Sequence, residues 1–157
     1  MQHRIKPILV VLLFLAQITL DRYRHVLLVT PDLLYLILVY VAVSAGPVRT
    51  IVTATFLGWI ADFFSVGMVG LFGFSRVLSA FLINRVSRFL DLTRMHFVFF
   101  LISISLCISN LVAGLFLHWI YAFPLEPGLI FYQPLLTALL GVLILNIPMV
   151  KRELNVH

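Results

Sequence analysis

Between His96 and Tyr121 the sequence carries no Asp, Glu, Lys or Arg. A helix needs about 20 mainly apolar residues to cross a hydrocarbon core, so this run spans one with room to tilt. Five more runs of similar character occupy 5–20, 26–45, 48–64, 71–86 and 135–150. Only 11% of the chain is charged, against about one-quarter in a soluble domain. Such a chain lacks the polar surface to cover a core in water, so the bilayer is its expected solvent. In lipid each backbone polar group must be satisfied internally, which leaves helices or closed barrels. The runs are long and continuous, without two-residue alternation, and this selects helices. The expectation is an all-α polytopic membrane protein: a six-helix transmembrane bundle forming one domain over residues 1–157. No polar stretch is long enough for a second module.

The first run follows MQHRIK and resembles a signal peptide's basic and apolar regions, but no small-residue cleavage site follows Leu20. It reads as a retained span. Basic residues then set the orientation. With the N-terminus inside, Arg4, Lys6, Arg49, Arg85, Arg88, Arg94, Lys151 and Arg152 flank the inner ends, and only Arg22 and Arg24 flank the outer ones. Both termini are expected in the cytoplasm, with the turn SVGMVG and the loop around Glu126 outside. The same distribution accounts for the net charge of +5 and excludes nucleic-acid binding, which needs basic residues gathered on a water-facing surface.

Polar residues inside the runs carry the remaining information. Asp62 lies about one turn from the outer end of the third run, and Arg76 somewhat deeper in the fourth. A charge in the bilayer interior is costly and is relieved by pairing or water. Arg76 can snorkel outward by its long side chain. The expectation is an intramembrane Asp62–Arg76 ion pair stapling a helical hairpin. Small and weakly polar residues form stripes at helical spacing: Thr55, Gly58, Asp62 and Ser65; Gly73, Arg76, Ala80 and Asn84; and Ser103, Cys107, Asn110 and Gly114. Stripes of this type let helices approach closely or meet a partner helix. A solute cavity is the alternative use of the same faces.

Chemical motifs are missing. The glycines 67, 70 and 73 lack the Lys-Ser/Thr ending and preceding strand of a phosphate loop, and fit a tight turn instead. Cys107 is the single cysteine, and the five histidines show no metal-ligand spacing. No His-Glu-x-x-His, Gly-x-Ser-x-Gly or Cys-x-x-Cys occurs. The chain reads as non-enzymatic, with no catalytic residue, cofactor or metal.

Pro31-Asp32-Leu33-Leu34, followed one span later by Gly58-x-x-x-Asp62-x-x-Ser65-x-Gly67-x-x-Gly70-Leu71, resembles the bacterial rod-shape-determining MreD family. The match is best over residues 31 to 94. Pro31, Asp32, Gly58, Asp62, Gly67 and Gly70 hold the family's pattern positions; Arg76 enters on physical grounds alone. The resemblance implies a multi-pass protein of the bacterial inner membrane that serves the side-wall elongation complex. The partners it implies are MreC first, then RodA with its transpeptidase and MreB. It also implies a helical fold similar to the substrate-binding component of energy-coupling-factor transporters. Capture of a vitamin-type small molecule is therefore the alternative function.

Overall fold

The computed structural model describes residues 7–22, 29–64, 70–90, 94–122, 124 and 126–145. Gly67, Ser65, the basic C-terminal residues and the N-terminal segment before Pro7 lie outside them. Among the described residues there are six α-helices and no strand: α1 (Pro7–Arg22), α2 (Leu33–Ser44), α3 (Pro47–Phe64), α4 (Leu71–Val86), α5 (Met95–Tyr121) and α6 (Gln133–Leu145). A π-helical turn, Gly128–Tyr132, leads into α6. The all-helical expectation holds. Of the described helices, the 27-residue α5 is the one both long and apolar enough to cross a membrane by itself.

The third, fourth and fifth runs coincide with α3, α4 and α5 to within a residue at each end. The second differs. α2 starts only at Leu33, because Asp32 has left helical geometry and caps it by accepting a hydrogen bond from the Tyr35 N–H. Hydropathy cannot see a cap, since the apolar residues before Pro31 look like helix. The sixth run differs in the other direction. The segment read as a loop before residue 135 is the π turn joined directly to α6. Pro134 lacks the N–H that would complete an α-helical bond, and the wider turn before it, with Gln133 N–H reaching Gly128 O, absorbs the break.

Nine of the twelve residues of α2 are buried, so this helix is the core of the bundle. At 1.5 Å per residue it is only about 18 Å long. Its two ends are therefore buried with it, and each needs internal partners. At the C-terminal end Asn84 of α4 donates to Ala42 O (2.8 Å) and Ala45 O (3.1 Å). The N-terminal end is held by the cluster described below. α3 packs mainly on α4, and α5 on α4 and α6, while α1 lies against α2. These cross-links put the starts of α2, α4 and α6 at one end of the bundle, with the finishes of α1, α3 and α5; we call it the hairpin end. Exposed Arg49, Arg85, Arg88 and Arg94 mark the opposite end.

The exterior is apolar. Val48, Val52, Phe56, Trp59 and Phe63 form an exposed stripe along the whole of α3, and Phe100, Ile104, Leu111, Leu115 and Trp119 do so along α5. Exposed single apolar residues are ordinary in soluble proteins, but continuous stripes on several helices are not.

Candidate functional site

The polar residues at the hairpin end form two linked arrangements. In the first, α3 and α4 cross so closely that a Cβ on Gly58 would stand 2.3 Å from Gly73 Cα and 2.8 Å from Gly73 N. Only glycine fits there. The crossing brings Asp62, one turn further along α3, over the start of α4. Asp62 Oδ2 accepts from Gly70 N–H (2.8 Å) and Gly73 N–H (3.3 Å), and Oδ1 accepts from Phe72 N–H (2.9 Å). Three of the N–H groups that an α-helix leaves unsatisfied at its start are thereby satisfied, and the carboxylate charge faces the positive end of the helix dipole. Gly70, at φ +98°, turns the chain into α4 in a conformation that side chains resist.

The second arrangement is built on Asp32. Its Oδ1 caps α2, its backbone N–H donates to Thr137 Oγ1 of α6 (3.0 Å), and Oδ2 takes Arg76 Nη2 at 2.5 Å. Arg76 Nη1 donates to Leu57 O (3.0 Å). The guanidinium thus ties α4 to α2 and α3, and both charged side chains are largely buried. Gln17 of α1 adds a further partner, its Oε1 accepting the Leu33 N–H (2.8 Å). On the α5 side Asn110 Nδ2 donates to Leu129 O and Gln133 Oε1, and Gln133 Nε2 donates to Thr30 O.

The expected Asp62–Arg76 pair is therefore corrected. Arg76 pairs with Asp32, and the two Asp62 oxygens face backbone N–H groups of α4. The reason is geometric: the glycine crossing seats Asp62 directly over the first turn of α4, whereas Arg76 lies deeper and points across to α2. The Ser103, Cys107, Asn110 and Gly114 stripe is also displaced. The buried face of α5 is Ile102, Ser105, Leu106, Ser109 and Ala113, about one residue around the helix, and Ser103 and Cys107 are half-buried. Asn110 and Gly114 line a cavity instead. Sequence reasoning missed Gln17 and Gln133. Each is a lone amide beside an apolar run, which is the signal that marks them.

The second arrangement, together with Phe72 of the first, borders a cavity of about 440 Å³. Asp32, Arg76, Ser109, Asn110 and Gln133 supply polar lining, while Phe14, Leu34, Phe72 and Leu106 supply apolar walls. The exposed lining residues Ile18, Pro124 and Glu126 mark its mouth at the hairpin end. Behind it lies Tyr35, completely buried near Ser79 and Ser105, its hydroxyl without a hydrogen-bond partner among the described residues.

A short buried helix held at both ends by other elements, continuous apolar stripes on the exterior and a buried ion pair mark an all-helical protein suited to an apolar surround, with one described helix long and apolar enough to cross a membrane. The sequence comparison narrows the class: the family model for the rod shape-determining protein MreD matches residues 2–151. The chain belongs to the MreD family, whose role is rod-shape determination. No curated protein and no solved structure matches it.

Proposed function

We propose that the chain is a non-enzymatic, six-span component of the wall-elongation complex in the bacterial inner membrane. In this reading its termini are cytoplasmic, it binds MreC, and through MreC it helps organise RodA, the partner transpeptidase and MreB. Family membership supports the setting. The exposed apolar stripes support a lipid surround, and the four exposed arginines at one end fit a cytoplasmic face.

The observation that carries the partner reading is how the small residues are used. Gly58 and Gly73 are consumed inside the α3–α4 crossing, so they are not open to an incoming helix. What the hairpin leaves exposed is aromatic: Phe63 at 86% and Phe74 at 56%. A single-pass partner would pack on these exposed rings, Phe63 at the end of the α3 stripe and Phe74 edge-on to Phe116 of α5. Phe72 turns inward to the cavity instead, and the Phe64 side chain lies outside the described residues.

Single cysteines at Phe63, at Phe74 and at Trp119, which is exposed on α5 at the same end, test this by crosslinking to the MreC membrane segment in native membranes. Crosslinks from 63 and 74 with none from 119 are expected. Crosslinking from 119 alone would place the partner elsewhere, and failure of MreC to co-purify would remove the partner reading.

A further inference from the structure

We propose that the cavity at the hairpin end is a binding site for a small uncharged molecule carrying hydroxyl or carbonyl oxygens, admitted past Glu126. The inference goes beyond the scaffolding role and does not depend on MreC.

Size and lining come first. About 440 Å³ lies within the range of roughly 300–1,000 Å³ typical of small-molecule sites, and is too small for a helix. Such sites combine apolar walls with a few convergent polar groups, as here. Structure alone does not require all these polar groups to face a void. Asn110 uses both amide hydrogens to hold Leu129 and Gln133, which leaves its carbonyl oxygen as an acceptor beside the cavity. Gln133 spends one amide hydrogen on Thr30 O. Arg76, a lining residue only 6% exposed, has five N–H donors, of which Leu57 O and Asp32 take two. The floor thus offers donors and the side wall an acceptor.

Charge then selects the ligand class. Asp32 cancels Arg76, so the floor donates hydrogen bonds without net positive charge. An anion would lose its hydration for no compensating charge and would pass the Glu126 carboxylate on the way in. A cation would meet the same neutralised pair, whose Asp32 oxygens are already taken by Tyr35 N–H and Arg76, and would find no free carboxylate inside to replace its hydration. Burying an unpaired charge is costly, whereas an uncharged molecule can accept from the Arg76 donors, and through a hydroxyl donate to the Asn110 carbonyl, without that cost. Phe14 and Phe72 provide flat apolar contact for the body of such a molecule.

The test uses the full-length chain in mild detergent and three probes of nearly equal size: methyl glucoside (neutral), glucuronate (anionic) and glucosamine (cationic). Saturation-transfer NMR reads binding of each. The neutral probe should bind at least about tenfold more tightly than the anion and than the cation. Two cavity-filling variants at lining residues, Leu117→Trp on α5 and Ile130→Trp on the π turn, should each weaken it by a similar factor while circular dichroism remains unchanged. Native mass spectrometry of the purified chain should show a neutral adduct that both variants lose. Preference for glucuronate or for glucosamine, equal binding by wild type and folded variants, or no binding of any probe would overturn the proposal. So would a phospholipid as the adduct that the variants displace. The order of the three probes on the wild type decides the question even where a variant does not fold.

Discussion

Asp32 and Asp62 each secure the first turn of a helix, yet they reach it by different routes. Asp32 caps the helix it precedes and spends its other oxygen on Arg76. Asp62 belongs to the previous helix and spends both oxygens on the N–H groups of the next one. The first carboxylate is therefore half a cap and half a counter-ion, and the second is a cap supplied from outside. The difference teaches that backbone N–H groups at a helix start can engage both oxygens of a buried acid. A helix start buried in an apolar bundle is itself a site for negative charge.

The largest effect should come from the charged half of this contrast. Arg76→Leu leaves Asp32 buried without its counter-ion and should cost about 3–5 kcal/mol of stability in detergent-unfolding measurements. Adding Asp32→Asn should recover most of that loss, since the amide carbonyl still caps Tyr35. If the double variant is no better than the single, the Asp32–Arg76 pair is not what the arginine serves. Next is the glycine crossing that lets Asp62 act. Gly58→Ala drives a methyl into backbone and should cost about 3 kcal/mol. Gly73→Ala should change stability by less than about 1 kcal/mol. A Cβ there makes only ordinary contacts, the nearer being Asp62 Oδ2 at 3.5 Å. Comparable losses from both substitutions would mean that the crossing is looser than described.

A smaller loss is expected at the cap itself. Asp62→Asn keeps one acceptor oxygen, turns an amide toward N–H groups, and should cost about 1–3 kcal/mol. Arg76→Leu should not soften that loss, and if it does, the two residues are coupled after all. The smallest effect concerns neither acid but the residue that begins above Asp32. Tyr35→Phe removes a buried hydroxyl that lacks a hydrogen bond, so stability should stay level or rise slightly in thermal unfolding. A marked loss would show that Ser79 or Ser105 holds the hydroxyl.

The sequence disclosed the hairpin well and the charge pairing badly. Boundaries of α3 and α4 follow from apolar runs ended by glycine and polar residues, which are local signals. The Gly58 and Gly70 pattern likewise announces a close crossing and a left-handed turn. The partner of Arg76 is not local: Asp32 lies 44 residues away in sequence. Among carboxylates, proximity in the chain favoured Asp62, and nothing in one-dimensional spacing reveals that its oxygens are already taken by backbone. Helix caps made in trans leave no sequence period, and the π turn before Pro134 shows only as a proline-rich loop. The cavity was foreseen as an alternative use of polar faces, but the amides of Gln17 and Gln133 that help shape its surroundings stood outside the stripes considered.

One consequence follows from where Arg76 finds its acceptors. Both Asp32 and Leu57 O precede it in the chain, and synthesis delivers the N-terminus first. By the time the guanidinium leaves the ribosome, its two anchorages already exist upstream. Asp62 is the reverse case, a carboxylate that must await its ligands downstream. The wait from Asp62 to Gly73 is 11 residues, far shorter than the 44 over which Asp32 awaits Arg76, so the carboxylate of the hairpin meets its donors soon after it is made.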